Sequence, residues 1–336
     1  MKIRDFAVFI ISYKRAHLLK KNTLRMLKNI GCKRPVYIII SDDDPTIKTY
    51  KRLYGDDKVI VFNKDKAHEL QQTDLGDVYP KMKGCGSFAR NYVFEAAKLK
   101  GYRYFLSLDD DYIDLTVRGK MGESLNNYKL RNIKYENFFD EMCELWFRML
   151  DSQPYIICSA LSQLGDYIGG LLSGIYRYGF KFKAMNAFFC DTEKEYRYPG
   201  RYNDDVNGYI TNNIRGRISL TINGFAISPA LTQNISGGMS DVYNQNGTYL
   251  KSIYSSMMVP SVAKISPMGE THYRIHHAIK YRFGVPKIIN EKFMLNYYKP
   301  VIPELMFYLK KDKKFSDMKI SFSKEDAQLK SNIELW

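Results

Sequence analysis

Three consecutive aspartates, Asp109, Asp110 and Asp111, close the apolar run YFLSL at Tyr104–Leu108. A strand end that caps a following helix needs one acid, not three. Adjacent carboxylates repel one another, and a divalent cation relieves the repulsion. An oxygen-only donor set suits Mg²⁺ or Mn²⁺ rather than zinc. One or two of the carboxylates would hold such an ion while diphosphate and water complete its coordination. The ion would then neutralise charge on a departing diphosphate. A metal nuclease can use the same run, so the three acids alone do not name a reaction. A second run, Asp42, Asp43 and Asp44, closes VYIIIS at Val36–Ser41 and is followed by Pro45. It reads as a turn or, with Asp42 nearest the strand, as a contact to the base or ribose hydroxyls of a nucleotide. Three of the five histidines, His272, His276 and His277, lie together. The spacing of His272 and His276 puts both on one face if the segment is helical. Gly237 and Gly238 form a turn or let backbone amides approach a sugar or phosphate.

Positioning these residues requires a scaffold, and the first third of the chain supplies a regular one. Phe6–Ser12 (FAVFIIS) is a continuous apolar run, as expected of a strand buried on both faces. Leu18–Ile30 carries apolar residues at helical spacing and stops at Gly31. Strands follow at Val36–Ser41 and Lys58–Phe62, then a helix at Gly86–Lys98 and a strand at Tyr104–Leu108. This alternation predicts an α/β fold with a doubly wound, Rossmann-like sheet, whose ligands collect at the carboxyl ends of the strands. Both aspartate runs stand at such ends. The second half is less regular and reads as α+β. It offers a helix at Tyr135–Leu150, strands at Tyr155–Ala160 and Ala187–Cys190, and a glycine-rich connection between them. A helix opens at Asp204 or Asp205, strands follow at Ser219–Phe225 and Ala226–Ser228, and a further helix spans Gly247–Met258. No repeat, low-complexity linker or domain boundary is evident.

Apolar residues make up 45% of 336, enough for a sizeable core, and 27 Tyr and 19 Phe are more aromatics than a core needs. Lys and Arg outnumber Asp and Glu by 51 to 36, a net charge of +15 that favours nucleic acid first and an anionic membrane second. Five cysteines at irregular spacing, with no CxxC pair, argue against disulfides and zinc and suit a reducing compartment. The N-terminal apolar run is too short for a signal peptide, and no window reaches the ~18 apolar residues of a membrane span. A soluble, cytoplasmic protein without a membrane partner is expected.

A strand ending in Ser12, a second reaching Asp42, GSFARN at Gly86–Asn91 and FLSLDDD resemble, in order and spacing, the nucleotide-sugar half of GT-A glycosyltransferases. The similarity is to the large inverting family that includes cellulose and chitin synthases. It implies that Ser12, Arg15 and Asp42 serve the donor nucleotide and that Arg90 approaches base or phosphate. It also implies that Asp109 and Asp111 hold metal and diphosphate, with His272 and His276 able to complete the metal shell. Asp204 and Asp205 stand where such enzymes place a general base that takes the acceptor's proton. Asp205 is the expected base, Asp204 an N-terminal cap, and Asp191, just after a strand, the rival. NAFFCDTEKEYRYPGRYNDDVNGYI, SGGMSDVY, GTYLKSIYSSMMVPSVAKI and YRIHHAIKYRFGVPKII further resemble the TET/JBP-associated glycosyltransferases of bacteriophages, extending the likeness over residues 1–290. This implies transfer from a nucleotide-sugar, a UDP-sugar first, to a hydroxymethylated pyrimidine in DNA, in a host cytoplasm. Residues 1–115 would form the nucleotide-sugar half and 116–290 the acceptor-binding and catalytic half. Residues 291–336 are a basic, aromatic extension that packs on the domain or serves as an arm. The rivals are a transferase acting on a glycan, lipid-linked or protein acceptor, a nucleic-acid-binding protein with an inactive transferase fold, and the nuclease.

Overall fold

In the computed structural model the described residues are 3–69, 86–121, 124–163, 180–194, 196–230, 249–268, 274–284 and 307–318. The chain begins β1 (Phe6–Ile11), α1 (Ala16–Lys21), α2 (Thr23–Asn29), β2 (Val36–Ser41), α3 (Ile47–Tyr54), β3 (Val59–Phe62) and α4 (Lys64–Glu69). It continues with α5 (Gly86–Leu99), β4 (Tyr104–Asp109), β5 (Tyr112–Met121), β6 (Ser124–Lys129), α6 (Phe138–Asp151), β7 (Ile156–Gln163), β8 (Phe180–Lys181) and β9 (Asn186–Asp191). Then come α7 (Asp204–Asn213), β10 (Ile218–Pro229), α8 (Tyr249–Met258), β11 (Ala263–Met268) and β12 (Arg274–Ile279).

One mixed sheet runs through the molecule in the order β3-β2-β1-β4-β9-β7-β10-β5-β6, with β8 paired to β10. The first four strands are parallel. β9 is antiparallel to both β4 and β7, β10 is parallel to β7, and β5 is antiparallel to β10. The continuous apolar runs form the strands buried on both faces, because alternate side chains point to opposite sides. Phe6, Val8 and Ile10 of β1 join a core containing Met26, Leu27, Tyr50, Phe139, Trp146 and Phe147. Ala7, Phe9 and Ile11 pack against Phe88, Val93, Phe94 and Ala97 on the other face. Burying each such Phe contributes roughly 1.5–3 kcal/mol. Helices therefore cover both faces, the doubly wound arrangement expected from the alternation.

Three expectations change. The helix expected over Leu18–Ile30 is broken at Asn22, whose φ of −113° and ψ of −103° are not helical. The break makes Thr23 the first residue of α2 and frees its hydroxyl for the active-site turn described below. The two strands expected at Ser219–Phe225 and Ala226–Ser228 are one strand, β10, with a register shift against β7 between Ile222 and Ala226. His276 stands on a strand rather than a helix, because Arg274–Ile279 pairs with Ala263–Met268 as a two-stranded antiparallel ribbon. Strands β5, β6, β8, β11 and β12 and helices α3 and α4 had no counterpart in the expected elements. In the C-terminal extension, Leu309, Phe315 and Met318 are fully buried in the first core. Its described part, residues 307–318, packs on the domain instead of forming a free arm. Cys32, Cys143, Cys158 and Cys190 are free thiols.

Candidate active site

The carboxyl ends of β1, β2 and β4 lie side by side, Ile11 pairing with Ile39 and with Asp109. Asp109 is the last residue of β4, and Asp110 and Asp111 form the turn into β5. Thr23 pins this turn: its hydroxyl donates to the Asp109 carbonyl at 2.7 Å and accepts the Tyr112 amide at 3.0 Å.

The three acids have different fates. Asp110 is buried and committed to the protein. Ser12 Oγ donates to one of its oxygens and Arg15 Nη1 lies 3.1 Å from the other. Ser12 also shares a 2.6 Å hydrogen bond with the Tyr50 hydroxyl, and Tyr50 accepts the Arg15 amide. Ser12 and Arg15, both expected to serve the donor, thus first build the floor that fixes the turn. Asp109 is reached by Arg90 Nη2 at 3.0 Å and by the Tyr112 hydroxyl at 3.3 Å. Its Oδ1 is buried with no aligned hydrogen bond, although Arg90 Nη2 is 3.0 Å away as an ion pair. Asp111 has the Arg15 guanidinium at 3.9 Å and the charge of Arg90 farther off. Burial, and then repulsion from Asp109 and Asp110, push its carboxyl up to about 7.

A half-buried carboxylate with an orphaned oxygen, Asp109, and a buried one raised by its neighbours, Asp111, fit a hard divalent cation. Among the described residues no group of three or more His, Cys, Asp or Glu side chains forms a metal-holding cluster. The described chain therefore offers Asp109 and Asp111, and oxygens from elsewhere would fill the remaining positions.

Arg90, buried on α5, joins this end of the sheet to the second half. Its Nε donates to Asp204 Oδ2 at 2.8 Å while Nη2 reaches Asp109. The guanidinium lies over the rings of Phe188 and Tyr198, 5.0 and 5.6 Å from their centroids. Burial opposes its charge, but Asp109 and Asp204 outweigh that and raise its pKa well above normal. Nη1 is buried with no hydrogen-bond partner, a donor aimed into the site.

Asp204 and Asp205 open α7, as expected, and the preceding Asn203 holds a left-handed φ of 56°. Asp204 is neutralised by Arg90. Asp205 is half-buried and accepts a local hydrogen bond from the Val206 amide at 2.7 Å. Burial, and next the Asp204 charge, push Asp205 up to about 6. A carboxylate poised there is suited to accept a proton near neutrality.

Asp191 does not join this group. β9 runs antiparallel to β4, so Asp191 pairs with Tyr104 at the start of that strand, the end opposite Asp109. There it is fully buried and held by Arg103, with Nη2 at 2.9 Å. The sheet's direction removes it as a rival base. Asp42 keeps an exposed carboxylate at the end of β2, accepting from Asn63 Nδ2 at 2.8 Å and the Lys64 amide at 3.1 Å. Asp43 is paired with Lys64, and Asp44 is buried as a turn acceptor for Lys14 and Thr46.

His276 stacks on His277 with ring centroids 4.4 Å apart, and its Nδ1 donates to the His277 carbonyl. It touches none of the strand-end acids among the described residues. His277, half-buried, reaches Asn203 instead, with Nδ1 3.3 Å from the amide nitrogen. Gly237, Gly238 and His272 lie outside the described residues. Thr23, Tyr112 and Asn203 were not foreseen, since each is recruited by a tertiary contact that no local spacing announces.

Among the described residues no helix is long and apolar enough to cross a membrane. No curated protein matches the sequence. Solved structures similar in outline include glucosyl-3-phosphoglycerate synthase from Mycobacterium tuberculosis with Mn²⁺ and UDP-glucose (10% identity, 82% of this chain and 87% of that one, TM-score 0.42). Others are the mannosyltransferase PcManGT from Pyrobaculum calidifontis with GDP-Man and Mn²⁺ (11%, 97% and 78%, 0.40) and S. aureus TarS 1–349 (10%, 91% and 83%, 0.39). The family model described as TET-associated glycosyltransferase matches residues 6–238, a span that holds the strand-end acids, Arg90 and Asp204–Asp205. With more than half of its length so matched, the chain belongs to the TET-associated glycosyltransferase family and is a glycosyltransferase.

Proposed function

We propose that this GT-A-type transferase moves a sugar from a nucleotide-sugar, a UDP-sugar first, to a hydroxymethylated pyrimidine in DNA, with inversion at the anomeric carbon. The observation that carries the mechanism is Arg90, which ties Asp109 at the end of β4 to Asp204 at the start of α7. One side chain thereby sets the donor's diphosphate site beside the helix that bears the base. Asp109 and Asp111 would hold Mn²⁺ or Mg²⁺, which supplies charge neutralisation for the departing diphosphate.

Asp42 would receive the donor's base or ribose hydroxyls, and Arg90 Nη1 a phosphate oxygen. Asp205 accepts the proton of the acceptor hydroxyl as its oxygen attacks, and the glycosidic bond to diphosphate breaks with its electron pair leaving on the phosphate oxygen. Asp204, paired with Arg90, adds to the burial that raises Asp205 and so tunes it as a base. The net charge of +15 favours a polyanionic acceptor, and a base inside a duplex must be extruded before its substituent can react. A phage role in DNA hypermodification follows from this acceptor.

The test incubates the protein with Mn²⁺, a panel of nucleotide-sugars, and DNA containing cytosine, hydroxymethylcytosine or hydroxymethyluracil, followed by nucleoside mass spectrometry. A sugar-sized adduct on a hydroxymethylated base is expected. Transfer to a glycan, lipid-linked or protein acceptor with every DNA left unmodified would overturn the acceptor assignment.

A further inference from the structure

The β11–β12 ribbon has two faces with different surroundings. On the inner side, Ala263 is buried with Val206, Tyr209 and Ile210 of α7, and Ile279 packs against that cluster. His277, on this side too, reaches Asn203, the residue before Asp204. Asn203 Nδ2 also donates to Ser255 Oγ of α8 at 2.7 Å, and Ser255 Oγ donates to Asn207 Oδ1 at 2.8 Å. The ribbon is therefore fastened to the start of the helix that carries Asp204 and Asp205.

The outer side is basic. Lys264 pairs in register with Ala278, so His276 and Lys280 are its diagonal neighbours on the same face. Lys264, Ala278 and Lys280 are exposed and His276 is half-buried. The Lys264 charge lowers the pKa of Lys280, as expected of two ammonium groups held close. Among the described residues no carboxylate pairs with either lysine. A pair of exposed, mutually repelling ammonium groups without a counter-charge is stabilised by an external anion.

We infer that the outer face of this ribbon, through Lys264, Lys280 and His276, carries the phosphate backbone of the acceptor nucleic acid, on a ribbon fastened to the helix that bears Asp205. This rests on the nucleic-acid acceptor proposed above. Phosphate contacts of this kind position a strand without reading its sequence. The ribbon thus sets where a target nucleotide sits relative to the base, and another element selects which nucleotide reacts.

The experiment measures binding of single-stranded and duplex DNA, and of heparin, by fluorescence anisotropy across a salt series. It compares the wild-type chain, K264E/K280E, and K100E. Lys100 lies just beyond α5, over the Tyr37 ring, near the amino-terminal edge of the parallel strands. Melting temperature confirms that each variant is folded. The expected result is that K264E/K280E loses DNA affinity by on the order of tenfold or more at low salt. Its log–log salt slope should become shallower by about 2, one unit for each phosphate contact removed. K100E should match the wild type. Wild-type DNA binding that K264E/K280E retains in affinity and slope overturns the ribbon assignment and leaves the nucleic-acid reading standing. No salt-dependent DNA binding by the wild type overturns both. Loss of heparin affinity alone, with DNA affinity kept, reassigns the face to an anionic glycan.

Discussion

Removing the Arg90 charge while keeping its bulk, as in Arg90→Met, leaves two carboxylates facing each other across a buried gap. Arg90 and Asp204 expose only 9% and 12% of their side chains, and Asp109 24%. Breaking a buried pair by deleting one partner costs about 3–5 kcal/mol. The two aromatic faces beneath the guanidinium add on the order of 1 kcal/mol, and the partial exposure of Asp109 discounts its share. A loss near 4 kcal/mol is therefore expected in urea unfolding followed by the fluorescence of fully buried Trp146. Adding Asp204→Asn removes one stranded charge, so the double variant should recover about 2 kcal/mol relative to additivity.

The deficit should also depend on pH with a definite sign. Burial, against the opposing pull of Arg90, raises the folded-state pKa of Asp204. Without Arg90 the folded pKa rises further. The folded variant then binds a proton that the unfolded chain has already released. Its stability accordingly falls as pH rises from the unfolded value of ~3.9 through the raised folded one, and the gap to the wild type narrows in acid. A coupling below about 0.5 kcal/mol between the two substitutions, or a deficit that grows in acid, would refute the bridge as the element joining the halves.

Three further outcomes follow from the same geometry. Transfer or donor hydrolysis should fall as pH drops through about 6, where Asp205 protonates, and Asp205→Asn should lower the rate roughly 10²–10⁴-fold above that pH and lose the fall; rate–pH profiles of the two proteins check this. Mn²⁺ competes with the proton on Asp111, so calorimetric affinity should weaken as pH falls below about 7 and lose that pH dependence in Asp111→Asn. Gly200 has φ +81°, and an added Cβ would lie 2.3 Å from the Tyr254 ring; Gly200→Ala should destabilise the protein by about 2 kcal/mol or more in urea unfolding.

The parallel strands were legible because each is an unbroken apolar run of strand length, and β2 spans the residues expected, Val36–Ser41. β5 was not, since YIDLTVRGKM mixes polar and apolar residues and its pairing with β10 depends on a partner a hundred positions away. The acids at Asp109–Asp111 are equivalent in the sequence. Only the folded positions of Ser12 and Arg15 commit Asp110 to the scaffold and set it apart from its two neighbours. Asp191 was misread for a related reason: an apolar run reveals a strand but not its direction, and β9 points the other way. Asp204 and Asp205 were legible as the start of a helix, yet the division between a neutralised acid and a poised one is set by Arg90, on another helix.

Because β9, β7 and β10 continue the hydrogen-bonded ladder of β4, one unbroken sheet joins the strand ends bearing Asp42 and Asp109 to the strands of the second half. A swing of one half against the other would have to break that ladder, so rearrangement during turnover falls to elements off the sheet. The same continuity means that a change in those elements need not disturb the strand ends.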